Sequence, residues 1–295
     1  MKIKATLLAM SASLSTALVP NVAADPPPPP AVVSLVAAEN EFAAHSVATD
    51  MRQAFMRALG TEGILLRPTP VPGGPFMEKR PAPPIELNWR PTFAYVAASG
   101  DVGITSGPWR LLSKTNPAEP PSYGHFISLW KRNATGRWML AFDNGISHPD
   151  PSFADAFLVA PPTGLARTTD AKIEATLKRF AERASAVDYN TAVKEFAAAD
   201  ARVYRDGSAP MHNHAAIQKL ASQWRQHRLV SLPMVSGTSS TKDFVYRLFE
   251  VRDVEDSAET SGKLVAHAFT VWRATIDGEM ELMLDVITIL PAQRQ

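Results

Sequence analysis

The stretch Ser128–Asp143, SLWKRNATGRWMLAFD, has a second copy at Thr270–Asp285, TVWRATIDGEMELMLD. Trp130 precedes Asp143 by 13 residues and Trp272 precedes Asp285 by 13, with no gap. In each copy, apolar alternating runs flank a polar-Gly pair, Thr135-Gly136 or Asp277-Gly278. Alternation at period two reads as strand, and a polar-Gly pair between two such runs reads as a tight two-residue hairpin turn.

The two copies stay in step well beyond the hairpins. The same shift of 142 residues places His125 on His267. A shift of 138 places Phe42 on Phe180, Asp50 on Asp188, Arg67 on Arg205 and Pro72 on Pro210, so the registers differ by four residues net. So many matches in register mean that the chain is an internal duplication.

Each half opens with helix. Leu35, Ala38 and Phe42 recur at helical spacing, and Asp50 with Gln53 three residues on predicts a capped second helix carrying Met51, Phe55 and Leu59. Ile64–Arg67 reads as a short strand stopped by Pro68. Thr69–Pro91 reads as loop or one broken helix around Phe76-Met77, and strands follow at Phe93–Ala98, Val102–Gly107, Trp109–Ser113 and Tyr123–Lys131. The second half repeats the plan with a helical stripe at Ile173, Leu177, Phe180 and Ala184. A third helix around Ile217, Leu220 and Trp224 is expected to be fuller than its counterpart, and strands follow at Phe244–Val251 and Leu264–Trp272. Helices first and antiparallel strands after, with no βαβ rhythm, give an α+β chain of two domains.

Composition agrees with that size. The 295 residues are 45% hydrophobic and 20% charged, ordinary for globular domains. Residues 1–24 read as a signal peptide, with Lys2 and Lys4 ahead of the apolar run Ala5–Val19 and small residues Val22 and Ala24 at a cleavage site. Export, most naturally to the bacterial periplasm, is therefore expected. A Pro-rich spacer follows at 25–32, then a first domain at 33–149, a linker at 150–169 and a second domain at 170–295. Removing the two leader lysines from 30 basic residues leaves 28 against 29 acidic, a net charge of −1. No basic patch marks a nucleic-acid surface, and no later run marks a membrane span. The chain has no cysteine, which removes disulfides, thiolate chemistry and Cys-ligated zinc.

The order of elements, together with Trp89-Arg90-Pro91, Ser99-Gly100-Asp101-Val102-Gly103 and Gly107-Pro108-Trp109, resembles the nuclear transport factor 2-like superfamily. Its SnoaL-like and ketosteroid isomerase-like branches are the nearest. The resemblance covers Ser34–Pro149 and, more loosely, Asp170–Pro291. It implies a curved antiparallel sheet wrapped around helices, closing a cone with a pocket at its open end. The superfamily mixes isomerases, dehydratases, hydrolases, cyclases and binding modules, so it does not fix an activity.

Three residues are candidates for proton transfer. Asp206, in Val203-Tyr204-Arg205-Asp206-Gly207, stands where the resemblance implies the base of ketosteroid isomerase-like enzymes; Pro68 stands opposite it in the first copy, and a turn-forming Asp-Gly is the structural reading. His125 lies five residues before Trp130, so the two point to opposite faces of one strand, and whichever face is the pocket decides the histidine's role. Asp143, flanked by apolar residues, could be a desolvated acid or the strand's polar exit. Candidate ligand-binding residues are Arg67, Trp89, Tyr123, Trp130, Arg205, His267 and Asp285. The two arginines could clamp an anion or pair with Asp143 and Asp285 across the sheet. His212 and His214 lack a third ligand at a metal spacing, and no motif calls for a cofactor. The expected partner is a small molecule, with the two halves pairing within the chain or a homodimer forming between chains. Three functions remain open: a module binding a small, mostly apolar ligand, an acid–base enzyme of isomerase, dehydratase or cyclase type, and a scaffold with one degenerate cone.

Overall fold

The computed structural model describes residues 28–149, 158–159, 167–222, 227–254 and 262–291. The leader, most of the linker, Trp224 and residues 255–261 lie outside the described residues.

The first domain begins with α1 (Pro30–Ala48) and α2 (Met51–Ala58). Asp50 caps α2, its side chain accepting from the Gln53 backbone N–H at 2.9 Å and from the Gln53 amide at 2.6 Å. Then come β1 (Leu59–Leu66), β2 (Pro70–Pro72), α3 (Gly73–Lys79), β3 (Ile85–Trp89), β4 (Phe93–Val96), β5 (Val102–Ser113), β6 (Ser122–Arg132) and β7 (Trp138–Ser147). The sheet runs β1-β7-β6-β5-β4, with β1 parallel to β7 and the inner pairs antiparallel. From the 150–169 segment, β8 (Leu158–Val159) pairs parallel with β4 at the sheet's edge.

The second domain repeats this order with α4 (Asp170–Ala186), α5 (Tyr189–Phe196), β9 (Ala197–Arg205), α6 (His214–Ile217), β10 (His227–Thr238), β11 (Phe244–Asp253), β12 (Lys263–Ala274) and β13 (Met280–Ile289). Its sheet runs β10-β11-β12-β13-β9, again with the first strand parallel to the last.

Ile85–Trp89, in a stretch expected to be loop or broken helix, is a strand paired with β5, and three further expectations change. The hairpin turns are not two-residue turns: the Asn133 N–H donates to the Arg137 carbonyl, the Gly136 N–H donates to Asn133, and Gly136 takes φ +78°. Asn133 Oδ1 caps the loop by accepting from the Thr135 and Arg137 backbone, so this is a longer Asx-built turn closed by a left-handed glycine. Gly107 does not end a strand, because β5 runs straight through it; a Cβ there would lie 1.9 Å from the Arg90 carbonyl, so the residue serves close packing. The third helix is longer in the first domain, where α3 spans Gly73–Lys79, than in the second, whose α6 spans only His214–Ile217.

The deciding local feature is a β-bulge in each final strand. Leu129 pairs with Phe142 but Trp130 pairs with Leu140, so Ala141 is an extra residue in β7. Val271 and Trp272 face Leu284 and Leu282 in the same way, making Met283 the extra residue in β13. A bulge reverses the alternation downstream of it. Leu140 therefore packs on the helices, Phe142 on the opposite face, and Asp143 returns to the helical side.

The helical side of each sheet buries its own core. The other faces of the two sheets pack on each other in a third apolar layer, where Phe142 and Phe269 stack with ring centroids 4.4 Å apart. Polar contacts at the border of that layer are reciprocal. Asp101 accepts from the Ser240 N–H at 3.0 Å, and Asp243, its counterpart, accepts from the Ala98 N–H at 2.7 Å, Ala98 being the counterpart of Ser240.

Candidate functional site

A cavity of about 490 Å³ opens on the helical side of the first sheet. Phe42 of α1, Met51 and Phe55 of α2, and Met77 of α3 form one wall. Leu87, Trp89, Trp109, Leu111 and Phe126 of the sheet form the other. Polar groups enter from few places: Arg67, Arg80, Ser128, Asp143, Asn144, Ser147 and, from the second domain, Thr288, which accepts from the Asn144 amide at 2.9 Å.

Asp143 is the buried charge of this site, 4% exposed. The bulge points it inward, and parallel pairing of β1 with β7 brings Arg67 alongside. The Arg67 guanidinium donates to Asp143 Oδ1 at 2.5 Å, and Ser128 Oγ donates to Oδ2 at 3.2 Å. Burial pushes the Asp143 carboxyl above the ordinary carboxylate range, and the Arg67 charge pulls it partly back.

Behind the wall lies a second acid that the repeat does not contain. Glu39 of α1 is fully buried and accepts from Trp89 Nε1 at 2.6 Å, Thr105 Oγ1 at 2.6 Å and Trp130 Nε1 at 2.9 Å. Burial raises its pKa to about 7 despite these three donors, and the Asp143 charge adds to the rise. Among the described residues no cation pairs with it. Glu39 meets the cavity only through Trp89, whose ring it holds. The sequence carried a signal for it: a lone acid four residues after Leu35 and three before Phe42, on the apolar stripe of a helix.

The other candidates separate. His125 does not face the cavity. Trp130 takes the helical side with Phe126 and Ser128, so His125 points into the layer between the sheets, where Nδ1 lies 2.8 Å from Nε2 of His148. Tyr123, two residues earlier on the same strand, shares that face. His267, only 1% exposed, faces the same layer near the Pro68 carbonyl, and burial lowers its pKa. Asp206 lies at the rim of the second cone; its carboxylate is exposed and accepts the Ser147 N–H at 2.8 Å, while the Gly207 N–H donates to Ser147 O at 2.7 Å. That clamp is a domain-to-domain contact built on the Asp-Gly turn, with Gly207 at φ +80°. His212 pairs with Arg202 and His214 with Gln218. Among the described residues no group of three or more His, Asp or Glu is gathered for a metal.

The second cone holds the matching ion pair in a different setting. Arg205 lies 2.6 Å from Asp285, which is fully buried, and Tyr189 Oη donates to Asp285 Oδ1 at 2.7 Å. Tyr189 is the counterpart of Met51, and Leu177 is the counterpart of Glu39. The tyrosine seals over the carboxylate what the methionine leaves open. Arg205 and Asp206 instead line a recess of about 280 Å³ beside Asn190 and Leu220.

No protein-family model matches the sequence, and no curated protein matches it. In structure the chain is similar to nuclear transport factor 2-like and ketosteroid isomerase-like proteins. A ketosteroid isomerase-like protein from Erwinia carotovora matches 41% of this chain and 98% of its own, at 14% identity and a TM-score of 0.33. A nuclear transport factor 2-like superfamily protein from Salmonella enterica matches 43% of this chain and 97% of its own, at 10% identity and a TM-score of 0.31. A conserved protein from Planctomyces limnophilus matches 39% and 95%, at 16% identity and 0.32.

Proposed function

We propose that the first domain binds a small, mostly apolar molecule in the cavity above Asp143, and that the second domain is its built-in structural partner. The observation that carries this reading is the pairing of one open, aromatic-walled cavity with one closed copy of the same ion pair. A volume of about 490 Å³ suits a small organic ligand, and apolar walls with a few convergent polar groups are the usual make-up of such sites. Residues 1–24 support export, so we place this binding outside the cytoplasm; a mature protein beginning upstream of Asp25 would argue against it.

The test is a neutral, environment-sensitive dye, N-phenylnaphthylamine, titrated into the protein. Saturable binding at one site is expected, and Met51→Tyr, which copies the second domain's Tyr189, should abolish it. An absence of saturable binding, or binding unchanged by Met51→Tyr, overturns the reading.

A second reading rests on Asp143, an acid raised by burial in a cavity wall. It makes the domain a proton-transfer enzyme acting next to a ligand carbonyl. Deuterium exchange from heavy water into a cavity-bound ketone, lost in Asp143→Asn, would support it; equal exchange in the variant would retire it.

A further inference from the structure

The cavity carries more positive than negative charge, and its second copy does not. Its walls hold two arginines, Arg67 and Arg80, and one carboxylate, Asp143, which is already paired to Arg67. Arg80 ends α3 at the cavity mouth, with its guanidinium 5.9 Å from the Phe76 ring centre, and it has no ion-pair partner among the described residues. Arg67 keeps 31% of its side chain exposed at the same cavity. In the second cone the pair of Arg205 and Asp285 is neutral, Arg205 is 12% exposed, and its second nitrogen is bound by Asn190.

From this we propose that the first cone is specific for amphipathic monoanions: an apolar body among Phe42, Phe55, Trp109 and Phe126, and an anionic head, of the carboxylate class, at Arg80 and the exposed side of Arg67. The proposal rests on the binding reading above and narrows its ligand. A planar guanidinium offers paired N–H donors to a carboxylate or a sulfonate, and a charge-assisted hydrogen bond at a half-buried site is worth more than its neutral equivalent. A neutral ligand would leave Arg80 without an ion-pair partner among the described residues. An anionic one would balance the site's charge without disturbing the bond between Arg67 and Asp143.

The experiment compares two dyes that share a ring system. Anilinonaphthalene sulfonate carries the anionic head, and N-phenylnaphthylamine lacks it. The sulfonate dye should bind roughly tenfold more tightly, the ratio corresponding to one net charge-assisted hydrogen bond. Arg80→Gln should bring the two affinities together, the sulfonate dye losing far more than the neutral dye does. Dodecanoate should displace the sulfonate dye far better than dodecanol does. Met51→Tyr should remove both dyes; sulfonate dye that persists on that variant is bound at the surface and counts against the proposal. Equal affinity of the two dyes for the wild type, or a preference that survives Arg80→Gln, overturns the anion specificity while the cavity reading stands. If the neutral dye does not bind either, both readings fail together.

Discussion

At the scale of single residues, Glu39 makes the strongest prediction. A carboxyl whose folded pKa lies above its unfolded value binds its proton more tightly when folded. Its contribution is therefore fully present below about pH 4.5, is lost as pH rises toward about 7, and stays lost above that. Between those two values the difference is about 3 kcal/mol. Denaturant midpoints at pH 5 and pH 8 should show the wild type losing stability relative to Glu39→Gln; a parallel pair of pH curves would rule the assignment out. Comparing the two proteins matters because His212, held down to about 4 by burial and by Arg202, and His267, also lowered, act in the opposite direction. The two ion pairs make a second test. Removing one partner of a buried pair costs about 3–5 kcal/mol, because the other charge is stranded. Arg205→Leu should approach that cost, since Asp285 is sealed under Tyr189, whereas Arg67→Leu should cost clearly less, since Asp143 can draw on solvent in the open cavity. Equal losses in thermal unfolding would mean that the two cones are equally closed.

At the scale of elements, the bulges in β7 and β13 decide what each cone contains. Period-two alternation cannot place both Leu140 and Asp143 on one face, and only the extra residue Ala141 does so. Deleting Ala141 would restore regular pairing and turn Asp143 away from the cavity, into the apolar layer between the sheets. The deletion should abolish dye binding and lower the melting temperature by more than 10 °C, an expectation set by an unpaired buried carboxylate of several kcal/mol in a domain of this size. This is also where the limits of sequence reading lie. The repeat and the Asp50 cap could be read, because each rests on spacing, while complementary charge left Arg67 open to two partners, Asp143 or an anionic ligand. The bulge could not, since an inserted residue looks like any other apolar position in MLAFD. The side taken by His125 stayed open for the related reason that alternation gives relative faces and not absolute ones. Glu39 carries no mark from the repeat, since Leu177 stands at its counterpart.

At the scale of the whole molecule, the two domains meet as the halves of a symmetric dimer would. Asp101 on Ser240 and Asp243 on Ala98 is the reciprocal contact expected of an isologous interface. The apolar layer between the sheets needs both of them. A first domain expressed alone, residues 28–149, would expose Tyr95, Ile127, Leu129 and Phe142 to water. It should elute as a dimer or larger species in size-exclusion chromatography with light scattering, where the full chain carries that face covered; a stable monomer would show that the layer contributes little. The peptide link between the halves has a further effect on how such a protein can change. In a dimer of identical chains, one codon specifies position 51 in both cones, so a tyrosine there would close two cavities at once. Here Met51 and Tyr189 are separate genetic positions. A saturation library should reflect that freedom: bulky residues will be rejected at 51 and welcomed at 189, and a hydrogen-bond acceptor (Glu or Gln) will be kept at 39 while 177 accepts only hydrocarbon.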